Sequence, residues 1–334
     1  MDQLLGSSLG RYRLDTLLGE GGMGAVFKAH DITLQRDVAV KIMHPQFART
    51  GNFRERFLLE ARTAARLNYP NIVQVHDFGQ EKDLLYIVME FIPGANLQQL
   101  LQDLRSQGKW LPLSEATELL RQSALAVDYV HRQGVLHRDL KPANIMLKPE
   151  PSEALPYQPV ITDLGLARLL EGQHLTQDGT SMGTPSYMSP EQAMGEPVDA
   201  RSDVYSLGIL LYELAVGQLP FPIKSLTEAI RYHTKEPPPP PRSLRPDLPA
   251  ILEKIILKAL EKDPNQRIPN AADLAKGLKA IQQQVSQATS APTLAEASVS
   301  LVTQYQASLV VPRGTSLIQE FAAPPDLAED RLQI

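Results

Sequence analysis

The run His137-Arg138-Asp139-Leu140-Lys141-Pro142-Ala143-Asn144 places a carboxylate, an ammonium and a carboxamide on one short stretch of chain. Transfer of a phosphoryl group to a hydroxyl asks for those three functions. A carboxylate orients the hydroxyl and takes its proton, a cation sits beside the moving negative charge, and an amide oxygen helps hold a metal ion. Asp139, Lys141 and Asn144 fit those roles in that order. Two apolar stretches follow, Ile145-Met146-Leu147 and Val160-Ile161, and after the second comes Asp163-Leu164-Gly165, where a carboxylate at a strand end can take Mg2+ bridging phosphates. Alone, Asp-x-Gly reads as an ordinary turn; its place downstream of the first run gives it weight.

Further upstream, Gly19-Glu20-Gly21-Gly22-Met23-Gly24-Ala25-Val26 offers backbone free of side chains, which can close over phosphates and donate N–H groups. A Gly-rich hairpin turn would look the same. A dinucleotide fingerprint would need a helix immediately afterwards, whereas Ala25-Val26-Phe27-Lys28-Ala29 continues as a strand. Val38-Ala39-Val40-Lys41 ends an apolar run on an ammonium, which needs a partner; Glu60, on a helix, can reach across and hold that charge against phosphates. Taken singly, either residue would be a solvated surface charge.

These groups need elements to position them. Tyr12-Arg13-Leu14, Ala25-Val26-Phe27, Val38-Ala39-Val40, Val73-Gln74-Val75 and Tyr86-Ile87-Val88 read as strands. One helix interrupts them over 53–68, with Phe53, Phe57, Ala61, Ala64 and Leu67 on one face. Beyond Pro93 the pattern turns helical, over 115–133, 201–217, 226–234, 250–261 and 271–284, with Ser114 as a capping residue and Asp203 near a helix start. The expected fold class is α+β: an antiparallel sheet with one helix, then a mainly helical part. Residues 149–159, with four prolines, read as an extended surface insert. Pro237-Pro238-Pro239-Pro240-Pro241 reads as a rigid inter-helix loop rather than a polyproline ligand. After about Gln284 the composition shifts to Gln, Ser, Ala and Thr, as in a linker, with some strand-like alternation at 298–312.

With these motifs in order, the chain resembles the Hanks-type, eukaryotic-like serine/threonine protein kinases, the bacterial ones in particular, over residues 10–284. The resemblance implies a bilobal kinase domain over 1–284, with an N-lobe at about 10–90, a hinge at about 90–95 and a C-lobe at about 96–284; residues 285–334 would be a partly disordered tail. It implies that Lys41 contacts phosphates and pairs with Glu60, that Asp139 is the catalytic base, that Lys141 meets the γ-phosphate, and that Asn144 and Asp163 hold Mg2+ or Mn2+. The ATP-binding set would comprise Leu18, Gly19, Glu20, Gly21, Gly22, Met23, Gly24, Val26, Ala39, Lys41, Met89, Glu90, Ile92 and Leu147. Met89 would be gatekeeper, and Glu90 and Ile92 would offer backbone hydrogen bonds to adenine. His137, Arg138, Leu164, Gly165, Thr184, Glu191, Asp203 and Arg267 would be structural or regulatory, with Glu191 paired to Arg267 and Asp203 bracing the catalytic loop. Leu164 stands where the family usually has phenylalanine, and Ser189 where it usually has alanine. Lys141 and Thr184 resemble the serine/threonine branch. Thr176, Thr180 and Ser181 are candidate phosphosites, since a phosphate there could pair with Arg138.

A pseudokinase would typically lack one of Lys41, Glu60, Asp139, Asn144 or Asp163, and all are present. A small-molecule kinase of related fold would generally lack the ending Gly183-Thr184-Pro185-Ser186-Tyr187-Met188-Ser189-Pro190-Glu191. The expected partners are protein substrates and a second copy meeting through the N-lobe. With 43% hydrophobic and 21% charged residues, the 334-residue chain can build a sizeable core. The formal charge of −5 provides no field for nucleic acid or anionic lipid, and the absence of cysteine excludes thiolate chemistry. No signal peptide begins the chain, and its longest apolar runs fall short of the ~20 residues that span a bilayer, so a cytoplasmic location is expected.

Overall fold

The structure, a computed structural model, describes residues 2–48, 51–152, 154–164 and 185–288. The upper part is a sheet of six strands: β1 (Ser8–Leu9), β2 (Tyr12–Gly21), β3 (Gly24–Asp31), β4 (Arg36–Met43), β5 (Val75–Glu81) and β6 (Leu84–Glu90). Their order is β1-β2-β3-β4-β6-β5, antiparallel throughout. The alternation of β2 to β4 sends Tyr12, Leu14, Phe27, Val38, Val40 and Ile42 to one face, where they form a closed cluster. The other face meets two helices, α1 (Pro45–Ala48) and α2 (Gly51–Ala64). Phe53, Phe57 and Ala61 recur at helical spacing, all fully buried, and pack with Phe47, Met43, Leu85 and Ile87. Burying each phenylalanine contributes about 2–3 kcal/mol, so the helix is held on the sheet by this stripe.

The lower part comprises α3 (Leu97–Ser106), α4 (Leu113–Arg132), β7 (Ile145–Lys148), β8 (Gln158–Ile161), α5 (Pro190–Met194), α6 (Ala200–Val216), α7 (Leu226–Thr234), α8 (Pro241–Leu244), α9 (Ala250–Ala259) and α10 (Ala271–Ala288). At its centre α6 is buried from Ser202 to Val216 and is ended by Gly217 at φ 76°. Gly208 lets α9 approach: a Cβ there would sit 2.9 Å from the Ala259 Cβ. The β7–β8 hairpin, with Ile145 opposite Ile161, lies across this core and delivers the residues on either side of it.

Several expectations are corrected. The helix expected over 53–68 is α2, ending at Ala64, and the strand expected at 73–75 begins at Val75 and runs to Glu81. The helix α3 was not expected, although Asn96 and Gln99 form a capping box and Leu97, Leu100, Leu101 and Leu104 are its buried stripe. Ser114 is not a cap, because α4 starts earlier, at Leu113 after Pro112. The insert at 149–159 is anchored rather than superficial: Leu155 and Tyr157 are 2% and 1% exposed. The alternation at 298–312 lies outside the described residues.

Candidate active site

The segment joining α4 to β7 carries Asp139, and three donors on one buried carboxylate shape it. Asp203, in the first turn of α6, accepts from the N–H of His137 at 2.9 Å, the N–H of Arg138 at 2.8 Å and His131 Nε2 at 2.7 Å. Burial alone would raise the Asp203 pKa, but the hydrogen bond and charge of His131, with the His137 N–H, hold it below the usual carboxylate range. The chain turns sharply here, with Arg138 at φ 67°, a conformation unfavourable for a side chain and held by its surroundings. His137 is buried; its Nε2 donates to the Thr162 carbonyl at 3.0 Å, tying this loop to the end of β8.

Asp139 follows at once, one-third exposed at its side chain. Lys141 Nζ donates to Asp139 Oδ2 at 2.7 Å, and Asn144 Nδ2 donates to the Asp139 carbonyl at 2.7 Å and to Oδ2 at 3.1 Å. With both Asn144 donors turned to Asp139, its Oδ1 is the atom it can offer a cation. Across the hairpin, Asp163 has φ 61°, and its Oδ1 accepts from Lys41 Nζ at 2.7 Å. Burial would raise the Asp163 carboxyl, yet the charge and hydrogen bond of Lys41, with His137 and Lys141 further off, lower it. The carboxylate is thus anionic at neutral pH. Lys41 and Glu60 are both buried, at 7% and 8% exposure, the first on β4 and the second on α2.

Above this cluster β2 and β3 form a hairpin with Gly21 opposite Gly24, so the glycine run is a turn between strands, not the entry to a helix. Its glycines have different reasons. A Cβ on Gly24 would lie 2.0 Å from the Ile42 carbonyl oxygen, so the fold itself requires glycine there. A Cβ on Gly19 or Gly21 would meet nothing within 4 Å, so packing does not explain those two. Met23 is partly buried against the α2 cluster, and Leu18 is 46% exposed. Val26 is partly buried, while Ala39, Met89, Ile92 and Leu147 are buried around the turn from β6 into the lower part. Glu90 already donates its N–H to the Gln74 carbonyl at 2.8 Å, so its carbonyl is the backbone group it can offer a ligand. Its side chain pairs with Lys148 at 3.2 Å.

Leu164 is buried in the lower core at 6% exposure. Gly165, Thr176, Thr180, Ser181 and Thr184 lie outside the described residues. At Pro185 the chain re-enters, and Glu191 meets Arg267 in a bidentate pair, 2.8 Å from Nη1 to Oε1 and 3.1 Å from Nη2 to Oε2. Burial opposes the charge on Glu191, but Arg267 prevails and keeps its pKa low. Ser189 explains itself locally: its Oγ accepts from the Gln192 N–H, Gln192 Oε1 accepts from the Ser189 N–H, and Pro190 occupies the first helical position.

Some contacts were not anticipated. Gln192 Nε2 donates to the Arg138 carbonyl at 2.7 Å, a second hold on the residue whose N–H Asp203 accepts. The Ser-Pro-Glu-Gln spacing signals the cap but not this second bond. The Tyr187 hydroxyl and Arg105 both bind Glu213, which is 3% exposed; nothing local in the sequence announces that group.

The protein kinase domain family matches residues 12–278. The chain is 39% identical over 301 residues to serine/threonine-protein kinase pkn3 of Myxococcus xanthus, covering 87% of this chain and 54% of that protein. It is 40% identical over 274 residues to serine/threonine-protein kinase PknB of Mycobacterium tuberculosis, covering 80% of this chain and 42% of that one. The chain therefore spans about half the length of these curated relatives. Among solved structures, the Mycobacterium tuberculosis PknI kinase domain is similar, with a TM-score of 0.67 and 30% identity over 84% of this chain and 98% of that domain.

Proposed function

The chain belongs to the protein kinase family, and on that premise we propose that it transfers the γ-phosphate of Mg-ATP to serine or threonine hydroxyls of proteins. One observation carries the reading. Two cation–carboxylate pairs, Lys41 with Asp163 and Lys141 with Asp139, stand at the open end of the β7–β8 hairpin, where Ile145 pairs with Ile161, with Asn144 bonded into the second. Those are the groups that phosphoryl transfer requires, and folding brings them together from distant parts of the chain.

Asp139 orients the incoming hydroxyl and takes its proton as the oxygen bonds to the γ-phosphorus and the β–γ bridging bond breaks. Lys141, beside Asp139, lowers the cost of the negative charge on the transferring group, and Lys41 holds the other phosphates. Gly19 and Gly21 carry no side chain, so phosphates can approach the backbone of the β2–β3 turn closely. Buried Met89, Ala39, Ile92 and Leu147 exclude water and receive the adenine.

The donor set fits a hard divalent cation. Among the described residues no group of three or more His, Asp or Glu could hold a metal ion by itself; Asp163 and Asn144 would supply the protein oxygens. Mg2+ is commonly held in this way, by one or two protein oxygens with substrate phosphates completing the shell, and Mn2+ uses the same oxygens. When bound, the ion neutralises phosphate charge and aligns the phosphates.

The catalytic unit is assigned to 1–284, with the last turn of α10 running on to Ala288, and the remainder to a tail. Its partners are protein substrates, and a second copy meeting through the upper sheet would permit transfer in trans to Thr176, Thr180 or Ser181. Among the described residues no helix is long and apolar enough to cross a membrane; a cytoplasmic location is the proposal. Radiolabel transfer to a generic protein substrate tests the reading. Asp139→Asn should abolish it, and equal incorporation by wild type and variant would overturn the assignment. Phosphate found between residues 163 and 191 after incubation with ATP supports self-modification, and its absence argues against it.

A further inference from the structure

A buried chain of hydrogen bonds connects the lower helices to the segment that would carry a protein substrate. His233, on α7, is 0% exposed, as is Tyr205 on α6. His233 Nε2 lies 3.0 Å from the Pro185 carbonyl, and Nδ1 lies 3.0 Å from the Tyr205 hydroxyl. Lys262 Nζ is 3.2 Å from that hydroxyl and 3.0 Å from the Tyr232 carbonyl.

The two ends determine the direction of every bond. A carbonyl only accepts, so His233 Nε2 carries the proton and donates to Pro185. An ammonium only donates, so the Tyr205 oxygen accepts from Lys262 and turns its own hydrogen toward Nδ1, an acceptor in the neutral ring. Burial and the Lys262 charge push the His233 pKa down to about 4, so the ring is neutral at physiological pH. Bonds linked in this way reinforce one another in a low-dielectric interior.

Packing leaves the imidazole one orientation. Tyr205 and Phe221 meet it edge-on, with centroids 5.6 and 5.5 Å away. Beyond it, Arg267 lies over the Tyr205 ring at 5.0 Å while its guanidinium holds Glu191. The stretch from Pro185 to Tyr187 is consequently pinned at three points. His233 holds the Pro185 carbonyl, Ser206 Oγ holds the Tyr187 carbonyl at 2.7 Å, and Glu213 holds the Tyr187 hydroxyl.

We infer that His233 is a positioning residue for the protein substrate: its Nε2–H fixes the Pro185 carbonyl, and Tyr205 with Lys262 selects the tautomer that can do so. The inference rests on the kinase reading, because it takes 185–191 as the shelf for an extended substrate. His233 acts through that shelf and not on ATP.

Three full-length variants test it. His233→Met fills the space without a donor, His233→Gln keeps an N–H near the Nε2 position, and Tyr205→Phe removes only the oxygen that selects the tautomer. In His233→Met the KM for a protein substrate should rise about tenfold, equivalent to about 1.4 kcal/mol, while His233→Gln should stay within about threefold of wild type. The KM for ATP and the slow hydrolysis of ATP without protein substrate should not move. Hydrogen exchange at Ser186, Tyr187 and Met188 should quicken in His233→Met and Tyr205→Phe but not in His233→Gln. An unchanged substrate KM in His233→Met, or a parallel rise in the KM for ATP, overturns the inference. If His233→Met does not fold, Tyr205→Phe decides, and unchanged exchange there refutes the relay. If wild type phosphorylates no protein, the kinase reading falls, and exchange still judges the clamp.

Discussion

Asp203→Ala should damage stability and phosphotransfer together, and the structure gives the size of both effects. The carboxylate is 1% exposed and takes the N–H groups of His137 and Arg138 at 2.9 and 2.8 Å. A hydrogen bond to a charged group is worth about 1.5–3 kcal/mol net, and the substitution removes these two together with the third, from His131 Nε2 at 2.7 Å, leaving all three donors facing a small cavity. Water entering that cavity recovers part of the loss. Arg138, freed from φ 67°, relaxes and returns part of a strain of about 1–3 kcal/mol. The expected destabilisation is about 3–5 kcal/mol, a large share of the about 5–15 kcal/mol typical of a folded protein. Relaxation at Arg138 moves its neighbour Asp139, and a misplacement of about 1 Å can reduce transfer about a hundredfold. Guanidinium denaturation, with radiolabel transfer expressed per folded molecule, separates the two effects. Asp139→Asn is the control: its one-third exposed side chain predicts a stability within about 1 kcal/mol of wild type with transfer abolished. Asp203→Ala within about 1 kcal/mol of wild type, or with unchanged transfer per folded molecule, would refute the bracing argument.

The two kinds of glycine in the β2–β3 hairpin should separate cleanly. Gly24→Ala drives a Cβ to 2.0 Å from the Ile42 carbonyl and should destabilise by about 2–4 kcal/mol, whereas Gly21→Ala should leave the unfolding midpoint unchanged and raise the KM for ATP. Equal losses of stability in both would count against the distinction. Acid should expose His233: its pKa is about 4 in the folded chain against an ordinary 6.5, so the unfolded chain binds the extra proton between those values. Its contribution is complete above about pH 6.5 and falls as pH drops toward 4, by up to about 3 kcal/mol. The stability of wild type minus that of His233→Gln, in which the carboxylates cancel, should therefore shrink on acidification. A flat difference over that window refutes the assignment of a neutral buried ring.

The residue pattern encodes short-range geometry and little beyond it. Asp139, Lys141 and Asn144 sit close enough along the chain that a loop after one helix must cluster them, and the Lys141–Asp139 bond bears this out. The apolar stripe of Phe53, Phe57 and Ala61 settled α2, and the strand continuing past Gly24 excluded a dinucleotide fold. Even α3 was legible, in Asn96, Gln99 and four leucines at helical spacing. The partners of isolated charges were not. Lys41 meets Asp163 from 122 positions away and His233 crosses 48 positions to Pro185, while the hold of Asp203 on His137 and Arg138 and the Glu191–Arg267 pair were expected only through the family resemblance. Tyr157 sinks into the core from a stretch whose prolines suggested a surface loop. The strength and choice of such contacts depend on burial and on which elements pack side by side, quantities that no local pattern of residues carries.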